Sequence, residues 1–390
     1  MRYELENRLV IGVSSRALFD LRLENEIFRK EGVESYRRYQ LEHEKDLLDP
    51  GPGFPLIRAL LAINALSGQE GRVEVILMSQ NSADTALRIF HSIERYGLGI
   101  TRSVLTGGAP LTPYLKAFHT DLFLSADEEE VQNAIDSGTA AGIICENTGR
   151  GVCGAAPAGK GTGQVYGRTG DADRPCRINI AFDGDAVLFT DESERIFREQ
   201  GFAAYEENER RNADSPLEEG PFARFLKTIA ALQQEFPPDA IPIRTALVTS
   251  RSAPAHERVV RTLLSWNVRI DETFFLGGIP KKEVLKAFGA HIFFDDQAIH
   301  TDGAAQVVPA ARVPGRSGER PPEREREHEI YRYKEGTVSG TSQPVHRLGG
   351  AGRKPGKGTC EKYRKMPGAS AGGRGSVSGE KRESQPIHSL

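Results

Sequence analysis

In the stretch "RINIAFDGDAVLFTDESERIF" an apolar run, Ile178, Ile180 and Phe182 alternating with Asn179 and Ala181, ends in two carboxylates, Asp183 and Asp185. The alternation predicts a strand ending at Asp183. A carboxylate at a buried strand end is costly to desolvate unless a cation or a proton meets it. Two carboxylates this close therefore call for a metal ion, a basic side chain or a proton. Further along, "TALVTS" ends in Thr249 and Ser250, "PKKEVL" carries Lys281, and "HIFFDD" ends in Asp295 and Asp296. Hard carboxylate oxygens without histidine or thiolate favour Mg²⁺, which is usually completed by a phosphate. Lys281 and the Thr249 hydroxyl are suited to phosphoryl oxygens. The chemistry this set supports is phosphoryl transfer, which rests on positioning and charge neutralisation.

Each residue then has an expected role. Asp183 is the nucleophile and forms an aspartyl phosphate. Asp185 protonates the leaving alcohol and then takes a proton from the attacking water. Its backbone carbonyl is also available to the metal. Thr249, with Ser250, holds phosphoryl oxygens, and Lys281 screens the charge of nucleophile and phosphate. Asp183, Asp185, Asp295 and Asp296 form the expected metal set, with Asp296 favoured over Asp295 as the direct acidic-pair ligand.

The elements that must position these residues occur twice. "IGVSSRALFDLRLENEIFRKEG" from Ile11 aligns without a gap on "IAFDGDAVLFTDESERIFREQG" from Ile180, with Ala17, Ile27, Phe28, Arg29 and Gly32 over Ala186, Ile196, Phe197, Arg198 and Gly201. Gly51 and Pro52 match Gly220 and Pro221, and Ser82 and Ala83 match Ser252 and Ala253. "LTGGAPLTPYLKAFHTDLFLSAD" matches "FLGGIPKKEVLKAFGAHIFFDDQ". Duplication of one α/β unit accounts for this order and spacing. In each unit a strand leads into a charged helical insert. In the second, a helix over 222–234 follows, then the strand "TALVTS", a helix over 255–266, a short strand, a further helix, and "HIFFDD" as the closing strand. Strands alternating with helices imply Rossmann-like parallel sheets with helices on both faces, and sites at the carboxyl ends of the strands.

At the positions matching Asp183, Asp185, Thr249, Lys281, Asp295 and Asp296, the first unit has Ser14, Arg16, Ser79, Leu111, Ser125 and Ala126. Structural carboxylates would be needed in both copies. Their loss from one assigns the chemistry to the second. The expected organisation is a degenerate unit over 1–145, a Gly-rich linker over 146–176, a catalytic unit over 177–312 and a disordered basic tail over 313–390.

The remaining composition is that of an ordinary soluble chain. The 390 residues are 38% hydrophobic and 27% charged, with a net charge of −3 and no nucleic-acid footprint. Cys145, Cys153, Cys176 and Cys360 lack metal-ligand spacing and read as reduced thiols. The N-terminus has no signal pattern and no apolar run is long enough to span a bilayer, so the cytoplasm is expected. "GAAPAGKG" falls short of a phosphate-binding loop, because Gly161 stands where Ser or Thr should bind the metal. Arg16 suits either an ion pair, the favoured reading, or a nucleotide phosphate. Arg251 suits an ion pair and a substrate contact equally. The charges of Glu192, Glu194, Arg195 and Arg198 read as a solvated helix face, Phe202 and Tyr205 as core ahead of stacking on a base, and His300 as structural ahead of a supporting role behind the adjacent acid pair.

The four motifs in order, "DGDAV", "LVTS", "PKKEVL" and "FFDD", resemble the haloacid-dehalogenase-like phosphatase superfamily. The longer strings "VSSRALFDL", "TGGAPLTPYLKAFHTDLFLSA", "AFDGDAVLFTDESERIF", "EEGPFARFL" and "IFFDDQAIHT" resemble the type I cytosolic 5′-nucleotidases, over roughly 8–312. That resemblance implies Mg²⁺-dependent hydrolysis of nucleoside 5′-monophosphates, AMP above all. It also implies a nucleotide effector such as ADP, and inserts over 22–50 and 191–220 that act as small caps. The core motifs alone equally suit a sugar-phosphate phosphatase. A nucleotide-binding regulator without turnover is the other alternative, against which the intact set of six positions argues. The duplicated halves also leave open a role in assembly, as a homo-oligomer.

Overall fold

The computed structural model describes residues 5, 8–66, 71–145 and 177–317. The linker over 146–176 and nearly all of the basic tail lie outside the described residues. Ten strands form: β1 (Leu9–Val13), β2 (Val73–Ser79), β3 (Arg102–Leu105), β4 (Leu122–Ser125), β5 (Ala140–Ile144), β6 (Ile178–Phe182), β7 (Ile243–Thr249), β8 (Glu272–Phe275), β9 (Ile292–Asp295) and β10 (Ala310–Arg312). The α/β architecture expected from the alternation is present, as one sheet of order β3-β2-β1-β4-β5-β10-β9-β6-β7-β8. The first five strands and the last five have the same internal order. Every neighbouring pair is parallel except β5 and β10, which are antiparallel and set Ala311 beside Ile144. The halves therefore point in opposite directions, and their carboxyl-end sites open on opposite edges of the sheet.

The strand sequences suit this arrangement. β1 and β2 are buried along their whole length, as expected for parallel strands covered on both faces. Helix Phe54–Leu66 of the first half packs against β6, and helix Ala223–Gln234 of the second packs against β1, so each half also covers part of the other. Beneath β6 and β9 the rings of Phe182, Phe222, Phe225 and Phe294 form a fully buried cluster. The Phe182 and Phe294 centroids are 5.7 Å apart and nearly parallel, and Phe222 and Phe294 are 4.7 Å apart. This packing fixes the two strand ends that carry Asp183 and Asp295.

"HIFFDD" does not close the unit: a fifth strand follows in each half. β5 and β10 are short and rich in alanine and glycine, so neither gives a clear alternating signal. Packing at the junction requires their small side chains. A Cβ at Gly142 would stand 3.0 Å from the Ala311 Cβ and 3.3 Å from the Phe294 ring.

The inserts are helical pairs, Arg22–Glu31 with Val33–Glu42 and Glu192–Gln200 with Phe202–Arg211. Gly32 (φ 85°) and Gly201 (φ 84°) make the corners between them, a left-handed conformation that favours glycine. The chain returns from each insert through a bridge, Phe19 with Pro50 and Phe189 with Glu219. A Cβ at Gly51 would stand 2.8 Å from the Phe19 nitrogen, and one at Gly220 would stand 2.6 Å from the Val187 oxygen. Close backbone approach thus explains the repeated glycine. Among the described residues no helix is long and apolar enough to cross a membrane.

Candidate active site

Asp183 directly follows β6, held there by its backbone N–H donating to the Phe294 carbonyl at 2.8 Å. Its Oδ1 accepts from the Gly184 N–H at 2.7 Å and lies 2.8 Å from Lys281 Nζ. Lys281 precedes helix Lys282–Phe288, and its ammonium also reaches Asp295 Oδ2 at 2.6 Å, at the end of β9. Asp295 Oδ1 accepts from the Gln297 N–H at 2.9 Å, and His300 Nδ1 lies 3.2 Å from Asp295 Oδ2. Asp183, Lys281 and Asp295 are all buried.

Burial sets the electrostatics of this group. It pushes the Asp183 carboxyl up to about 6, with Asp295 adding to the rise and Lys281 opposing it. Burial also opposes ionisation of Asp295, but Lys281 and His300 outweigh it and hold that carboxyl below its ordinary value. The Lys281 ammonium is disfavoured by burial, and Asp183 and Asp295 more than restore it. Asp296 is pushed well above the usual carboxylate range by burial, then by Glu194, Asp295 and Asp183. Its Oδ1 is buried without a hydrogen-bond partner.

These observations fit a bound cation. Ligand atoms of Asp183, Asp295 and His300 lie within 4.8 Å of one another. Two buried carboxylates share one lysine, and the orphaned Asp296 oxygen beside them lacks a donor. A donor set dominated by carboxylate oxygens suits a hard divalent ion.

Asp185 stands on a single wide turn over Gly184–Leu188, closed by the Phe189 N–H on the Gly184 carbonyl at 2.9 Å, with Ala186 at φ 60°. Its carboxylate is gripped by the Arg251 guanidinium, with Nη2 to Oδ1 at 2.6 Å and Nε to Oδ2 at 2.8 Å. Thr249 is buried at the end of β7, and its Oγ1 accepts from the Arg251 N–H at 3.2 Å. A Cβ at Gly184 would stand 3.4 Å from that hydroxyl, so glycine there leaves room between the first and second motifs. Ser250 follows, half-buried.

Sequence reasoning left three contributors unassigned. His300 takes the less favoured of its two options, against Asp295. Arg251 takes the ion-pair option, with Asp185. Glu209, in the charged run "YEENERR", is fully buried: its Oε2 accepts from Arg251 Nη1 at 2.7 Å and its Oε1 from Arg258 Nη1 at 3.2 Å. Nothing in that run distinguishes it from its solvated neighbours. The charged face of helix Glu192–Gln200 is partly engaged as well: Glu192 lies 3.5 Å from Arg258, and Glu194 accepts from Gln297 Nε2 at 3.3 Å. Phe202 is half exposed, its ring edge against Phe197.

In the first half the matching strand ends are closed by local bonds. Ser14 Oγ accepts from the Ala17 N–H, Ser15 and Ser79 hydroxyls lie 3.2 Å apart, and Ser125 donates to Glu130 at 2.6 Å. Leu111 is buried, and Arg16 pairs with Asp127 at 3.8 Å.

With this geometry in hand, comparison with known proteins is informative. The 5′-nucleotidase family model matches residues 1–320. The chain belongs to the 5′-nucleotidase family. It is 36% identical over 312 residues to human "Cytosolic 5′-nucleotidase 1B", an alignment covering 77% of this chain and 48% of that protein. The chain thus spans about half the length of that relative. Solved structures match only loosely. "Structure of Pnkp1/Rnl/Hen1 complex" matches at 14% identity and TM-score 0.26, covering 81% of this chain and 99% of that one. A putative universal stress protein from Pseudomonas aeruginosa UCBPP-PA14 matches at 7% identity and TM-score 0.28, covering 80% and 94%. Such scores carry no argument.

Proposed function

We propose that the chain hydrolyses nucleoside 5′-monophosphates, AMP foremost, to nucleoside and phosphate. The reading takes 177–312 as the catalytic unit, 1–145 as its degenerate copy, Mg²⁺ as the cofactor and the cytoplasm as its location. The observation that carries it is the buried Lys281 ammonium bridging Asp183 and Asp295 beside an orphaned Asp296 oxygen. This arrangement keeps a nucleophilic carboxylate charged in an apolar surround, with acidic groups left over for a cation.

Asp183 attacks phosphorus as the bond to the 5′ oxygen breaks, and Asp185 gives its proton to that departing oxygen. Water then loses a proton to Asp185 and attacks the aspartyl phosphate, which frees Asp183 and inorganic phosphate. Lys281, Thr249 and Ser250 hold phosphoryl oxygens, and Lys281 spreads its charge over nucleophile and phosphate. Asp183, Asp295 and Asp296, with the Asp185 backbone carbonyl, would hold Mg²⁺. When bound, the ion neutralises charge on the transferring group.

Phosphate release from AMP, measured with and without Mg²⁺ beside Asp183→Asn, tests this reading. Mg²⁺-dependent release that disappears in the variant is expected. Release from sugar phosphates but from no nucleoside monophosphate would replace the nucleotidase with a sugar-phosphate phosphatase.

A further inference from the structure

A buried chain of charge runs from the insert to Asp185. Arg251 uses Nε and Nη2 on Asp185, Nη1 on Glu209, and its backbone N–H on Thr249. Glu209 accepts in addition from Arg258 Nη1 and from the Ser193 hydroxyl, the latter at 2.8 Å. The side chains of Arg251, Glu209 and Arg258 are no more than 5% exposed, whereas that of Asp185 is 19% exposed. The planar guanidinium is a rigid fork, so fixing its third nitrogen on Glu209 fixes the plane in which it holds the Asp185 carboxylate.

The first half shows that the fold does not require this chain. Asp185, Arg251 and Glu209 correspond there to Arg16, Asn81 and Gln40. The acid is replaced there by a base, and its two partners by neutral amides. Gln40 remains buried as a neutral amide, with its Oε1 unpartnered. Scaffold contacts at the same level persist in both copies. Leu48 N–H donates to Ser92 Oγ at 3.1 Å, and Leu217 N–H to Thr262 Oγ1 at 2.9 Å. Arg88, the counterpart of Arg258, also persists, paired with Glu24 at 2.6 Å. The members lost are those that connect the insert to the acid.

We infer that Glu209, acting through Arg251, is a positioning residue for Asp185, so that helix Phe202–Arg211 of the insert sets where the proton donor points. The inference rests on the reading of Asp185 as the acid, and the two can fail separately. Neither residue touches the transferred group in this scheme. Their contribution is to proton delivery, which a good leaving group does not need.

The test is the first-turnover release of adenosine from AMP and of p-nitrophenol from p-nitrophenyl phosphate, in the full chain with Mg²⁺. Glu209→Gln, which reproduces the amide of the first half, is expected to slow adenosine release between about 10-fold and 10²-fold and p-nitrophenol release less than about 3-fold. Arg251→Lys, which keeps the charge and loses the fork, is expected to show the same selectivity. Equal slowing of both substrates, or no slowing of either, would overturn the inference, since a merely structural role does not discriminate leaving groups. Asp185→Asn is the control. If it slows both substrates equally, the acid assignment itself fails; if it is selective while Glu209→Gln and Arg251→Lys are not, only the positioning role fails.

Discussion

The ends of β1, β2 and β4 present Ser14, Ser79 and Ser125, whereas those of β6, β7 and β9 lead to Asp183, Thr249 and Asp295. The strand order, the inserts and the glycine-lined returns are common to both. In the first half the Ser14, Ser79 and Ser125 hydroxyls each find a partner close by, and of the buried groups left without one, Asn81 Nδ2 and Gln40 Oε1 belong to neutral amides. In the second, two buried carboxylates share Lys281, and one oxygen of the neighbouring Asp296 is left with nothing. The same framework therefore tolerates a neutral polar edge and a charged one. The charged edge bears the cost of desolvation that the neutral one avoids.

Substitutions that carry one half toward the other sharpen this contrast. The largest effect is expected from Asp183→Asn, which should lower phosphate release from AMP by roughly 10⁵-fold or more, while Ser14→Ala leaves it unchanged. Comparable losses from both would end the assignment of chemistry to one half. Lys281→Leu installs the residue of the first half and strips the ammonium from two buried carboxylates. It should reduce stability by about 3–5 kcal/mol in urea unfolding, because each carboxylate is left without its counter-charge. A loss under about 1 kcal/mol would show that water relieves the site.

The third prediction concerns pH. Burial raises the folded-state carboxyl of Glu130 to about 7, against the opposing bond from Ser125. The folded state then holds a proton that the unfolded state gives up at lower pH. This contribution is full below the ordinary glutamate range and is lost as pH rises through about 7. Glu130→Gln should remove it, so that the variant gains about 2 kcal/mol on the wild type between pH 5 and pH 8 in paired unfolding curves. A constant difference across that range would contradict it. The smallest effect is expected from Ser14→Ala, which removes the helix cap on the Ala17 N–H and should cost about 1 kcal/mol.

The alternation around Ile178–Phe182 and the repeat at Ile11 and Ile180 made the parallel α/β framework legible from sequence, because strand and helix periods persist in both copies. The positions of Asp183, Lys281 and Asp295 at one edge followed from the same pattern. The fifth strand of each half did not, since Ala140–Ile144 and Ala310–Arg312 are shaped by the junction rather than by alternation. Glu209 was hidden for a different reason. Local sequence records charge but not which charge turns inward, and Arg251 and Arg258, which draw it in, lie more than forty residues further along. His300 was likewise unassigned, because its approach to Asp295 depends on how helix Ala298–Ala305 returns against β9.

The antiparallel seam between β5 and β10 has a consequence for dissecting the molecule. β10 is three residues long, and β5 satisfies its outer edge. Cutting away the first half would bare that edge together with the face of β6 now covered by helix Phe54–Leu66. Exposed edges of this kind recruit further strands. The isolated second half would thus be a seed for self-association, and the first half serves as the shield over that edge.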